Sequence, residues 1–264
     1  MSPEGVVLEL SARLVGLACA LQALELLALR PAWGPDGVFS YAVLRDDLRA
    51  LPGPLRPLLA RLLDAPGFGR VLQLRLVAAL VALGTAHPSA LPVLLVTHVL
   101  VSLRWRGAFN GGSDAMTLVV LLGLVVASAA PDEPLVTRGA LLYIALQAAL
   151  SYFIAGVVKL KGARWRSGAV LSEIAAAERY QAPALARALL ARPAVARAAA
   201  WAVMLFDTAF PLALTGPRLA LVFIAAALGF HLLNAWLFGL NRFLLAWASA
   251  WPAVAYAAVL FGGA

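Results

Sequence analysis

Apolar residues fill this chain in long blocks, and most of the polar residues fall in the intervals between them. Runs at about Gly5 to Leu29, Val71 to Leu83, Leu91 to Leu103, Met116 to Ala130, Gly139 to Leu160, Ala198 to Leu214, Leu219 to Leu240 and Phe243 to Phe261 predict helices. A helix rises ~1.5 Å per residue, so about 20 apolar residues cross a hydrocarbon core ~30 Å thick. The pattern predicts an all-α, polytopic transmembrane helical bundle of about eight spans, with residues 1–264 as a single domain. The run at Val71 to Leu83 is short and carries Arg75. Thr85-Ala86-His87-Pro88 turns it back into the next span as a hairpin.

Two polar intervals interrupt the blocks, at residues 31–69 and 161–197. Within them Tyr41 to Ala50, Leu55 to Ala65, a stretch from Ser172 and another after Pro183 set arginines among leucines and alanines. That pattern predicts short helices lying along the membrane interface.

Composition narrows the class. The chain is 63% hydrophobic and 13% charged, with a mean hydropathy of +0.89, too little polar surface to cover a water-soluble globule. Its net charge of +8 does not point to nucleic acid, because the arginines sit in loops between apolar segments, where membrane proteins collect them on the cytoplasmic side. Alternating the intervals puts Arg45, Arg49, Arg56, Arg61, Arg104, Arg106, Lys161, Arg164, Arg166, Arg179, Arg187, Arg192 and Arg242 on one side, against Arg138 and Arg218. The expected location is therefore a bacterial-type inner (cytoplasmic) membrane, with both termini outside. Met1-Ser2-Pro3-Glu4 lacks the basic start of a cleavable signal, so the first segment is expected to be a retained helix. The single cysteine, Cys19, excludes an intramolecular disulfide.

Polar residues inside spans are costly and mark candidate chemistry. Here they are Glu9, Arg13, Asp207, His231 and Asn234, with Glu25 and Lys159 near helix ends. Glu9 and Arg13 are four apart and can pair. Lys159 is either an anchor whose ammonium reaches the headgroups or, turned inward and desolvated, a base. Gln147 and Ser151 lie on roughly its side of the helix, and they serve equally as hydrogen bonds between helices. His231 and Asn234, three apart, share a face; His231 is either a packing hydrogen bond or an acid, base or donor to a bound head group. Asp207 requires a cation or a donor. In the connection Arg104 to Asp114, Gly111 and Gly112 permit close backbone approach and Asp114 begins the next helix; interface anchoring explains its Arg and Trp residues as well. His87, His98 and His231 form no metal-binding pattern, and no metal is expected.

Gln147-Ala148-Ala149-Leu150-Ser151-Tyr152-Phe153-Ile154-Ala155-Gly156-Val157-Val158-Lys159-Leu160, followed by Trp165 and Gly168, resembles the central motif of vitamin K-dependent gamma-glutamyl carboxylase and its bacterial relatives, the HTTM (horizontally transferred transmembrane) family. Phe230-His231-Leu232-Leu233-Asn234, continuing through Leu237-Phe238-Gly239-Leu240 to Phe243, resembles that family's later histidine-containing helix. Leu205-Phe206-Asp207 through Phe210 is a weaker match. The resemblance implies that Lys159 acts as general base or head-group ligand and His231 as its catalytic companion. It implies further that Asn234, Tyr152, Gln147, Asp114, Asp207 and Trp165 bind substrate. The implied cofactor is reduced menaquinone or a related quinol, bound as a quinone or isoprenoid lipid, and the implied chemistry is quinol-dependent oxidation or carboxylation. Gly112 stands near the place of a carboxylase loop histidine, and Val158 replaces a lysine that precedes the catalytic one. The chain ends at Ala264, short of the carboxylase's large lumenal part; these departures point away from protein glutamate as the substrate. The alternative function is a non-catalytic membrane component that binds lipid or a partner protein. A cavity faced by both Lys159 and His231 is the expectation that separates the two.

Overall fold

The structure is a computed structural model that describes residues 2–46, 52–105, 111–180 and 182–263, apart from the side chains of Leu44 and Arg179. Arg49, Arg106 and the Asn110 end of the glycine loop lie outside the described residues. Among those described there are helices and no strands: α1 Pro3–Ala28, α2 Arg30–Trp33, α3 Tyr41–Leu44, α4 Arg56–Leu63, α5 Ala65–Thr85, α6 Ala90–Trp105, α7 Gly111–Ala129, α8 Pro134–Lys161, α9 Ala163–Ser167, α10 Ala169–Ala176, α11 Ala184–Leu190, α12 Pro193–Ala209, α13 Pro217–Phe238, α14 Asn241–Ala248 and α15 Trp251–Gly262. A 3-10 segment, Phe210–Thr215, extends α12.

Seven helical units are long and apolar enough to cross a membrane: α1, α5, α7, α8, α12 with its 3-10 extension, α13, and α14 with α15. The apolar α6, at 16 residues, is shorter. Together they make the polytopic helical bundle of about eight spans that the hydropathy pattern predicts. The run at Val71 to Leu83 is longer than its apolar pattern suggested, because Asp64 caps the helix with a carboxylate that accepts from the Ala65 N–H (2.8 Å). Several helices open on proline: Pro3, Pro66, Pro134, Pro193, Pro217 and Pro252 each stand in the first turn. There the missing N–H has no intrahelical partner to lose.

Helix α1 packs along α5, and α8 lies centrally against α7, α12, α15 and the 3-10 segment. The Glu9–Arg13 pair forms at 2.6 Å, and Arg13 also donates to the Leu83 and Gly84 carbonyls that end α5. Near the other end of α1, Glu25 meets Arg242 at 3.1 Å. Glu4 meets Arg138 (3.4 Å) and accepts from the Tyr256 hydroxyl (3.0 Å). A Cβ on Gly262 would come within 2.6 Å of Gly216 Cα. Both ends of the chain therefore lie at the end of the bundle opposite Lys159.

Two apolar cores result. The larger runs through the spans. The smaller gathers Trp33, Leu63, Phe68, Leu72 and Trp105, with Phe39, Tyr41 and Leu59 packed against them. Arg104 is its organiser: it donates to the Leu63 carbonyl (3.1 Å), the Trp33 carbonyl (3.3 Å) and the Phe39 carbonyl, and stacks over Phe68 and Trp105. An arginine predicted as an interface anchor is instead a buried clamp on chain carbonyls.

Candidate functional site

Lys159 stands near the C-terminal end of α8, and the residue that places it is Gly156, one turn earlier. A Cβ on Gly156 would lie 2.5 Å from the Thr208 backbone nitrogen, so α8 and α12 touch backbone to backbone here. That contact brings Lys159 Nζ to 2.5 Å from Asp207 Oδ2. The Asp207 side chain is 2% exposed and Lys159 19% exposed, with its ammonium also 5.5 Å from the Trp165 ring centroid. The lysine is neither a headgroup anchor nor a free amine. It is one half of an ion pair in the bundle wall, and it is the cation that Asp207 requires.

The pair borders a cavity of about 520 Å³ lined by α8, α12, α13, α14 and the α9–α11 interval. Its lining is apolar apart from Lys159, Asp207, Ser151, Tyr152, Asn234 and a few further edges. Gly112 forms part of the wall, where any Cβ would meet Phe243 at 2.9 Å. Over the end nearest Lys159, Tyr180 packs edge-on to Phe238 with centroids 5.6 Å apart, and Leu171, Ile174 and Leu190 complete the cover. This cover holds together through local bonds. Arg166 donates to the Leu160 and Lys161 carbonyls at the end of α8, Ser172 donates to the Leu190 carbonyl, and Arg164 pairs with Glu173. The hydrogen bond to Glu173, with its charge, raises the exposed Arg164 guanidinium above its ordinary value. Gly168, at φ +84°, turns α9 into α10 against the Arg197 backbone, a conformation and a closeness only glycine tolerates.

Tyr152 presents its ring to the cavity and its hydroxyl to His231, whose Nε2 lies 2.7 Å away. The ring stacks on Phe210 at 3.9 Å. His231 is fully buried among Phe230, Phe243, Trp247 and Trp251, and its Nδ1 has no hydrogen-bond partner among the described residues. The expectation that His231 faces the cavity opposite Lys159 is therefore corrected. The aromatic rings shut it in, and it reaches the cavity only through the Tyr152 hydroxyl. Asn234 does line the cavity, and its amide donates to the Phe230 carbonyl (3.0 Å).

Two expected lining residues stand elsewhere. Gln147 is half-buried on α8, three turns from Lys159, and does not line the cavity. Asp114 belongs to a second polar cluster: Gln22 donates to Asp114 Oδ1 (2.8 Å) and accepts from Arg75 (2.7 Å), while Arg242 lies 3.7 Å from Asp114. Arg75 also meets His98 Nδ1 at 3.0 Å, and His98 Nε2 lies 2.8 Å from the Asp114 carbonyl. A guanidinium only donates, so His98 accepts on Nδ1 and donates from Nε2–H. The signal for this cluster is present in the sequence: Gln22, Arg75 and His98 all sit inside apolar runs, where a polar side chain needs a partner. Among the described residues, no group of three or more His, Cys, Asp or Glu is placed to hold a metal.

The family model of the HTTM domain matches residues 71–253, more than half of the chain and all of the cavity-lining residues named above. The chain belongs to the HTTM family. No curated protein and no solved structure matches it. The HTTM match and the apolar helices make it a multi-pass integral membrane protein. Within that HTTM domain, α8, α9, α12 and α13 bring Lys159, Asp207, Tyr152, Trp165 and Asn234 to one cavity, and leave Gln147 and Asp114 outside it.

Proposed function

We propose that this HTTM protein binds a quinone or another isoprenoid lipid in the cavity beside Lys159, and that its chemistry is quinol-dependent oxidation or a related carboxylation. The observation that carries this reading is the pairing of a largely apolar volume of about 520 Å³ with the polar locus of the Lys159–Asp207 pair. That volume lies within the ~300–1,000 Å³ of ordinary small-molecule sites. The Lys159–Asp207 pair has no net charge, which suits a neutral hydroxyl or carbonyl head group better than a phosphate.

While paired, Lys159 donates hydrogen bonds to a bound oxygen. It becomes a base only by passing its proton to Asp207, a transfer along the existing hydrogen bond that leaves amine facing carboxylic acid. The free amine would then be placed to accept a proton from a hydroxyl held in the cavity. Tyr152 orients the head group, and His231 fixes Tyr152 from behind. The cofactor that fits is reduced menaquinone or a related quinol, which supplies the reducing equivalents. By the bias of basic residues, the Lys159 end faces the cytoplasm in a bacterial-type inner membrane, with both termini outside.

The test is extraction of lipid from the purified protein and mass spectrometry for a bound quinone. The native protein is expected to retain one. Lys159→Ala is expected to lose it, and any quinol-dependent turnover, while keeping its helical circular dichroism. Absence of quinone in the native protein, with no binding of added menaquinone, overturns the proposal. One observation favours the non-catalytic alternative, a holder of lipid or of a partner protein: His231 is sealed behind Tyr152 and acts there as packing. Quinone retained without any turnover selects that alternative.

A further inference from the structure

We infer that the cavity fills sideways from the bilayer, through the gap between α12 and α13, so that its ligand is a membrane-dissolved molecule entering with its polar head toward Lys159. The inference deepens the proposed function, and rests on it only for the identity of the ligand.

Consecutive antiparallel spans joined by a short turn ordinarily pack along their length. These two do so only from the turn as far as Phe206 and Phe230. The Phe206 ring on α12 lies 6.3 Å from that of Phe223 and 5.7 Å from that of Phe230 on α13, and the Phe210 ring lies 5.8 Å from Phe223. Beyond that aromatic hinge the helices part: α12 goes to α8 and α9, α13 goes to α14 and α15, and the two backbones hardly approach each other. The cavity is the wedge they leave. Ala199, Val203 and Asp207 line its α12 side, and Phe230, Leu233 and Asn234 its α13 side.

The outer rim of this wedge faces lipid. Leu233 is 54% exposed although it lines the cavity, and Trp236, one turn further along α13, is 57% exposed. Only 11% of the apolar window of α13 is buried, against 50% for α1 and α7. Ala199 and Val203, four residues apart and both small, share one face of α12 and leave width for a tail. Among the described residues, Tyr180, Phe238, Leu171, Ile174 and Leu190 cover the polar end, and Phe243 and Trp247 form the inner wall. A charged solute from water would cross that apolar cover, whereas a lipid crosses no polar barrier.

The full chain, reconstituted in vesicles, is irradiated with a small apolar diazirine that partitions into the bilayer, and labelled residues are located by mass spectrometry. Tyr152 and Phe230 are expected to carry label, although Tyr152 is only 4% exposed, while Ile144, equally buried on α8 but remote from the cavity, carries none. Val203→Trp, which fills the gap, is expected to remove the label from Tyr152 and leave that on Leu221 unchanged. Absence of label from Tyr152 and Phe230 in the native protein, or their labelling by a charged aqueous diazirine in its place, overturns the inference, and neither result depends on the variant folding. The measurement needs no quinone. Label at Tyr152 in a protein that retains no quinone upholds the lateral route and rejects the quinone.

Discussion

Two polar clusters are buried in this bundle, and they differ in what they face. In the first, Arg75, Gln22, His98, Asp114, Arg242 and Glu25 bond chiefly to one another and to helix carbonyls, and none of them lines the cavity beside Lys159. In the second, Lys159 and Asp207 bond to each other, Tyr152 bonds to His231, and the pair and the tyrosine edge stand open to a cavity. Both contain charged groups at membrane depth, so cost alone does not distinguish them. Accessible volume does. A closed network ties α1, α5, α6, α7 and α14 together, while an open one has capacity left for a ligand.

The contrast is sharpest in its energetics. Asp114→Ala strips the carboxylate from between two arginines, and loss of one partner from a buried ionic network costs about 3–5 kcal/mol. Thermal unfolding of the purified variant should show the largest fall in the series, or no folded protein in detergent. Asp207→Ala is expected to cost less, about 2–3 kcal/mol, because Lys159 retains the cavity and the Trp165 face. Adding Lys159→Met to Asp207→Ala should recover most of that loss, a coupling that a double-mutant cycle on unfolding reads directly. If Asp207→Ala proves as damaging as Asp114→Ala, the division into closed and open clusters fails.

Tyr152→Phe keeps the ring on Phe210 and removes the bond to His231, at a cost of about 1–2 kcal/mol for an orphaned buried group. Its effect on retained quinone should exceed its effect on unfolding if the bond to His231 sets the ring against the head group. Equal retention of quinone by Tyr152→Phe and the native protein would confine Tyr152 to packing. Arg164→Gln, which breaks the solvent-exposed pair with Glu173, should leave both the unfolding temperature and quinone retention unchanged.

Much of the cavity's chemistry is legible one residue at a time. Lys159, Asp207, His231 and Asn234 announce themselves by standing polar in apolar runs, and the motif from Gln147 to Leu160 points to the HTTM family. Their partnerships are not legible. Asp207 lies 48 residues beyond Lys159, and nothing local joins them. Gly156 is the device that does so, and in the sequence it is one glycine among 21. Arg104 shows the same limit from the other direction: its place beside Trp105 reads as an interface anchor, and only the approach of the Trp33, Phe39 and Leu63 carbonyls turns it into a clamp.

By itself, the sequence determined the class of this protein. An apolar run of sufficient length has one stable form in a bilayer, a helix that satisfies its own backbone, so eight such runs, prolines at their starts and a one-sided set of arginines decide the bundle before any packing is known. Tertiary structure decided which polar groups meet, which of them face a cavity, and where that cavity opens. Those depend on how closely helices approach, and a lysine's role turns on whether α8 comes near enough to α12 at Gly156 for Asp207 to reach it.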